Sequence, residues 1–251
     1  MNTRMKHVSV CLFILLIFPI FAHGQTLKMG YLSLMPHIIV EKGNHTGALV
    51  DYWEKHVAPA MGVRVEWVGP LPPNRLFQAL EKGQINAIAF LGKSKARAEI
   101  YDYPEQSFYS STSGIAVLNS YPDSKISSID ELIQFKIGYF SKGVKPPLMQ
   151  DKRIKWDYVA SADWKKVNFN KLVAGRIGGV FDAEFYTLKY EMEKLGFADR
   201  LKAIRIDGTP FVAYPVFSKK DNGLFVNKYN AVFQTVDQQT KYLDLLLKYV
   251  N

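Results

Sequence analysis

A chain of 251 residues, 48% of them hydrophobic and 14% aromatic, is long and apolar enough for one large domain or two modest lobes with real cores, and it contains no internal repeat or low-complexity segment. Its one cysteine, Cys11, lies inside an apolar N-terminal stretch, so a disulfide framework and thiol chemistry are excluded once that stretch is removed. The formal charge of +9 favours anionic ligands or surfaces, but the lysines are scattered rather than striped, which argues against nucleic acid.

The first 24 residues read as a cleaved secretory signal. Arg4 and Lys6 form a basic start, Val8 to Phe21 an apolar core, and Ala22 and Gly24 supply small residues before Gln25. The core is short for a membrane span and has no stop-transfer flank. Cys11 lacks the small residues that a lipoprotein site needs just before its cysteine.

A strand is expected at Leu27 to Tyr31, followed by a loop through His37. With no second ligand at helical or hairpin spacing, His37 reads as a solvated loop histidine rather than a metal ligand. Asn44-His45-Thr46 matches a glycosylation sequon, which has no meaning if the host is bacterial. Thr46 then reads as the N-cap of a helix burying Leu49, Val50, Trp53 and Val57 and closing at Met61-Gly62. Val63 to Val68 alternates as a strand, and Pro72-Pro73-Asn74 opens a helix with Leu76, Phe77 and Leu80 inward that stops at Gly83.

The run Ile85 to Phe90 fits a parallel strand in a helix-covered sheet, and ligands in such sheets sit beyond the carboxyl ends of the strands. That end carries Phe90 to Arg97, and an arginine there offers a planar fork of donors for a carboxylate or phosphate. Ser110 to Val117 is a second apolar strand, and Ser128-x-x-Glu131 is a capping box. Lys136 to Phe140 and Lys155 to Val159 read as strands. Ser161 to Trp164 reads as a loop presenting an aromatic, and Asn170 to Ala174 as a short helix. Ile177 to Phe181 is a strand ending at Asp182, which caps a helix over Ala183 to Leu195. Pro210 to Phe217 is a further strand, and helices over Leu224 to Val236 and Thr240 to Tyr249 close the chain, the second with Leu243, Leu246, Leu247 and Val250 on one face.

The order Thr46-Gly47-Ala48-Leu49-Val50-Asp51, Leu80-Glu81-Lys82-Gly83-Gln84-Ile85-Asn86, Ala96-Arg97-Ala98-Glu99 and Tyr103-Pro104-Glu105-Gln106-Ser107-Phe108-Tyr109-Ser110-Ser111 resembles the extracytoplasmic solute-binding proteins of family 3, the amino-acid-type receptors of bacterial ABC importers. The likeness covers nearly the whole chain after the signal and is strongest from Thr46 to Leu118. It implies an α/β, two-lobed periplasmic binding protein of type II, each lobe a doubly wound sheet, with two crossover strands as hinge. The implied division is 25–111 and 216–251 for lobe 1 and 112–215 for lobe 2.

The resemblance also supplies the expected site. Arg97 takes the arginine that grips the ligand's carboxylate. Gly175-Arg176-Ile177-Gly178-Gly179-Val180-Phe181-Asp182 is similar to the family's element ending in an aspartate for the ligand's amino group, which makes Asp182 the cation partner. Phe90, Leu91 and Gly92 stand where the family often has Ser or Thr, and Gly143 and Val144 where it binds the acid group with amides and a hydroxyl. These departures remove two polar grips on an α-amino acid. Tyr31, Tyr139 and Tyr186, with Met35, His37, Phe140 and Trp164, are the other groups expected to reach or enclose the ligand.

The implied function is capture of a small, carboxylate-bearing, amino-acid-like solute in the periplasm by hinge closure and delivery to the membrane subunits of an ABC importer, as a monomer with no cofactor or metal. The alternatives are a dehydratase of the cyclohexadienyl or arogenate type, with Glu184 or Asp182 as acid or base, and a binding protein coupled to a sensor.

Overall fold

The computed structural model describes residues 25–32, 34–141, 145–161 and 163–250. The signal-type segment and two of the expected site residues, Gly143 and Val144, lie outside the described residues.

The chain opens with β1 (Gln25–Gly30), a hairpin of β2 (Ile39–Glu41) and β3 (Asn44–Thr46), and a helix that starts as α1 (Ala48–Tyr52), widens through a π turn and ends as α2 (Ala58–Met61). It continues with β4 (Val63–Val68), α3 (Pro73–Glu81), β5 (Ala87–Gly92) and α4 (Lys95–Ile100). Next come β6 (Tyr109–Leu118), β7 (Lys125–Ile126), α5 (Ile129–Leu132), β8 (Lys136–Phe140), β9 (Lys155–Val159) and α6 (Trp164–Val173). The last elements are β10 (Gly179–Asp182), α7 (Phe185–Lys194), β11 (Leu201–Phe217), α8 (Leu224–Gln239) and α9 (Tyr242–Val250).

Among the described residues, strands follow the order β4-β1-β5-β11-β6-β10-β8-β9, with β7 beside β11. The wings β4-β1-β5 and β10-β8-β9 are parallel, and such pairs need the long crossover connections that the intervening segments supply. Between them β6 and β11 run antiparallel and pass from one lobe into the other. Each lobe has apolar clusters on both faces of its wing. In lobe 1, Leu27, Met29, Leu49, Trp53, Tyr229 and Leu246 pack under α1, α8 and α9, and Leu76, Leu80, Ile88 and Val216 pack around α3. In lobe 2, Ile137, Tyr139, Phe181 and Ile204 face one way, and Phe169, Leu172, Val180 and Leu188 the other. Each such fully buried side chain contributes about 1.5 to 3 kcal/mol.

The pairing of β6 with β11 is interrupted where the sheet changes lobes, with a register shift between Arg205 and Pro210. Carbonyls in such a bulge lose ladder partners and must find others. The hydroxyls of Thr112 and Thr209 donate to Ile206 O at 2.9 and 2.6 Å, and Ser113 donates to Ala183 O at 3.3 Å. The Ser/Thr run inside an otherwise apolar strand thus satisfies the crossing.

Several local expectations change. Thr46 ends β3 instead of capping α1; its neighbour Gly47 is the cap. α6 begins at Trp164, so Trp164 lies on a helix and not in a loop. Its buried face holds Lys165 and Asn168 beside Phe169 and Leu172, and these polar residues hide the apolar stripe. β11 starts nine residues before Pro210, because Gly208 and Pro210 sit in the bulge and read as breakers in sequence. α7 is capped by Glu184, not Asp182.

Candidate functional site

The lobes meet where the loop after β1 and the start of α7 come together beside the crossing strand β6. The loop after β1 is held there by Gly47. Its φ is +114°, and a Cβ would come within 2.6 Å of His37 O and 2.7 Å of Pro36 O. This close approach lets Leu49 N–H donate to His37 O at 2.8 Å and Ala48 N–H to Pro36 O at 3.3 Å. Free amides at a helix start need such acceptors, and the bonds turn the His37 side chain inward. His37 is fully buried, contrary to the solvated loop residue read from sequence, because its partners come from elements remote in the chain.

Opposite it stands Glu184, buried at the start of α7. Its Oε2 caps the helix by accepting from Thr187 N–H at 2.6 Å and lies 3.4 Å from His37 Nε2; Oε1 accepts from the Tyr109 hydroxyl at 2.6 Å. His37 Nδ1 is 2.5 Å from the Tyr242 hydroxyl. An ionised carboxylate only accepts, so the network assigns a hydrogen to Nε2. Burial works against the charge on Glu184, but the bonds and charge of His37, the Tyr109 hydroxyl and the Thr187 amide outweigh it and hold its carboxyl down to about 2. Burial and the adjacent Glu184 charge push both phenols up, so Tyr109 and Tyr242 keep their protons.

Rings enclose this group. Phe90 lies 4.6 Å from the His37 ring, Tyr242 stacks on it at 5.9 Å and Tyr109 meets its edge at 5.8 Å. Phe211 stacks on Phe90 at 5.6 Å. Farther along the seam, Lys194 Nζ reaches Met35 Sδ at 3.6 Å and Lys189 Nζ donates to Val250 O at 3.4 Å, so α7 of lobe 2 is tied to lobe 1 along its length.

Arg97 lies in the first turn of α4, whose N-cap, Ser94, accepts its N–H at 3.3 Å. The half-buried guanidinium donates from Nη1 to Gly92 O at 3.0 Å and lies over the Phe77 ring at 5.3 Å. The Tyr103 hydroxyl donates to the same carbonyl at 3.0 Å. Phe90, Gly92 and Arg97 therefore share one end of β5, while Leu91 turns into the α3 cluster.

The other expected residues are dispersed. Asp182 is buried, its Oδ2 2.9 Å from Lys165 Nζ, which also binds Glu191 Oε1 at 2.8 Å; Asp182 Oδ1 accepts from Glu184 N–H. Burial disfavours the Lys165 charge, but the two carboxylates outweigh it and raise its pKa. Tyr31 hydrogen-bonds His45 at 2.8 Å and packs edge-on to Trp67. Tyr139 is enclosed in lobe 2 by Phe140, Trp156, Trp164 and Phe181 rather than facing the seam. Tyr186 packs on the lobe 1 core, and its oxygen accepts from Arg205 at 3.1 Å. Sequence reasoning named neither Tyr109 nor Tyr242 for the site. Tyr109 sits in the segment following Arg97, but Tyr242 is 205 residues from His37 and carries no local signal.

Among the described residues, no group of three or more His, Cys, Asp or Glu side chains is arranged for a metal, and no helix is long and apolar enough to cross a membrane.

Two α/β lobes joined by two crossing strands, with the strand ends facing a shared seam, define a binding protein of the hinged, two-lobed class. The sequence matches the model of the bacterial extracellular solute-binding proteins, family 3, over residues 27–251, and the chain belongs to that family. It matches no curated protein. Among solved structures it is similar to the periplasmic VFT2 domain of Bordetella pertussis BvgS, with a TM-score of 0.74 and 14% identity, covering 90% of this chain and 94% of that one. It is also similar to the amino acid ABC transporter substrate-binding protein AbpA of Streptococcus pneumoniae bound to L-arginine (TM-score 0.69, 15% identity, 90% and 94% covered). The ancestral amino acid-binding protein AncCDT-1, a precursor of cyclohexadienyl dehydratase, gives a TM-score of 0.69 at 18% identity, with 90% and 95% covered. At these identities the likeness is one of fold.

Proposed function

We propose that this protein captures a small carboxylate-bearing, amino-acid-like solute in the periplasm by hinge closure and delivers it to an ABC importer. Arg97 carries the reading. It stands just beyond the carboxyl end of β5, half-buried, with its fork steadied by Gly92 O and Phe77. An arginine so placed suits a ligand's acid group, and Phe90 and Phe211 offer stacked rings for its body. In this reading the first crossing falls in β6 near Thr112 and the return crossing in β11 at the bulge between Arg205 and Pro210, since Ala213 and Tyr214 already pair with β5.

Asp182 is engaged by Lys165, so the reading rests on the anion grip and leaves the cationic end of the ligand to other groups. The same pairing counts against a dehydratase. Glu184 is committed to Thr187, Tyr109 and His37, and neither acid is poised to donate a proton. A sensor-coupled role is favoured by one observation, the bridge of Glu184 to lobe 1, which gives the lobes a closed arrangement built from the chain's own side chains. A thermal-shift screen against amino acids, organic acids, amines and sugars tests the reading. A carboxylate-bearing hit at a hundredfold its Kd adds about 2.7 kcal/mol. Stabilisation by sugars or amines alone, or by nothing, overturns it.

A further inference from the structure

Glu184 enters lobe 1 as a ligand would. Its backbone belongs to lobe 2, where its carboxylate caps α7 by accepting from Thr187 N–H, while the other donors to that carboxylate, His37 Nε2 and the Tyr109 hydroxyl, belong to lobe 1. That receptor is built to hold an anion. Tyr242 orients the imidazole from behind at 2.5 Å, and Phe90 covers one side of its ring. His37, Tyr109, Tyr242 and Glu184 are all at most 3% exposed. A buried carboxylate without donors is strongly disfavoured, so this arrangement holds only while the lobes are together, and opening the hinge must separate Glu184 from His37 and Tyr109.

We infer that Glu184 is a built-in ligand: its side chain fills a carboxylate receptor formed by His37 and Tyr109 and latches the lobes closed, and a small free monocarboxylate can take the same place when that side chain is absent. The Thr187 amide stays available from lobe 2, so an acetate ion seated against His37 and Tyr109 bridges the lobes as Glu184 does. In the intact protein the tethered carboxylate is present at an effective concentration on the order of millimolar, and outcompetes dilute acetate. The inference is independent of which solute Arg97 recognises.

The test is a distance measured between spin labels on the outer edge strands, at Glu66→Cys on β4 and Lys155→Cys on β9, in the full chain with Cys11→Ser. Both positions are exposed. The otherwise native protein gives mainly the short distance, with a minor open population through which solute enters, and acetate does not change that balance. Glu184→Ala shifts the population to longer distances, and acetate or propionate returns it to the short one. Tyr109→Phe keeps the ring and removes one donor. Combined with Glu184→Ala, it raises the acetate concentration for half-closure about tenfold. Circular dichroism establishes that the variants are folded, and if Glu184→Ala does not fold, Glu184→Gln takes its place in the distance measurement, with the same shift expected. Unchanged distances in the Glu184 variants overturn the latch. Opening that no carboxylate reverses in Glu184→Ala overturns the receptor and leaves Glu184 as a packing residue.

Discussion

His37 Nε2 and Glu184 Oε2 lie 3.4 Å apart although 147 residues separate them in sequence, and the contact joins the loop after the first strand to the start of α7. Removing one partner of such a buried pair leaves the other poorly compensated, so His37→Ala should lower stability by about 3 kcal/mol. Urea unfolding followed by circular dichroism measures it. A loss below about 1 kcal/mol would show that Tyr109 and Thr187 suffice for Glu184.

Acid should act through the same carboxylate. The folded-state pKa of Glu184 is depressed to about 2. A depressed acid contributes stability that is fully present above its unfolded value, about 4.3, and is lost as pH falls toward the folded one. Native stability should therefore drop by about 3 kcal/mol from this group between roughly pH 5 and 1. Glu184→Gln should be less stable at neutral pH and flatter across that window. Parallel pH profiles for the two proteins would contradict the assignment.

Arg97→Ala should weaken solute binding at least tenfold, since a charge-assisted bidentate pair is worth about 1.5 to 3 kcal/mol, while the fold remains intact. Isothermal titration with a hit from the ligand screen decides it. Unchanged affinity would remove Arg97 as the carboxylate anchor.

Gly47→Ala should cost about 1 to 3 kcal/mol, because its φ of +114° is foreign to alanine and the added Cβ meets two carbonyls. The melting temperature reads the loss. The displaced His37 loop should also loosen the seam, seen as faster hydrogen exchange in α7 than in α6. Equal exchange in the two helices would detach Gly47 from the closure.

Lys165→Met should destabilise by about 3 to 5 kcal/mol by leaving Asp182 and Glu191 buried and facing each other. Adding Glu191→Leu should recover part of that loss. A double variant no better than the single one would mean that Lys165 acts through packing alone.

Most of the sheet was legible because its strands are apolar runs or alternations bounded by turn residues. β4, β8 and β9 fall on the expected residues, and β1, β5 and β10 are displaced by one or two. Misreadings fall where tertiary partners change what a residue does. Lys165 and Asn168 look like surface residues until Asp182 and Glu191 close over the lysine. Gly208 and Pro210 look like a chain break until Thr112 and Thr209 satisfy the bulge between them. Of the expected site residues, Arg97 lies just past β5 with its guanidinium on Gly92 O, whereas Tyr31 and Tyr139 are drawn into the packing of their own lobes.

By itself the sequence determined the two-lobed α/β class, the family and the place of Arg97, because apolar periodicity, turn residues and short motifs are local properties of the chain. Only the tertiary structure decided what fills the seam. A carboxylate that reads as one more helix-capping acid becomes the link between lobes when His37, Tyr109 and Tyr242 arrive from three distant segments. A buried charge takes its meaning from the donors that surround it, and chain order does not reveal them.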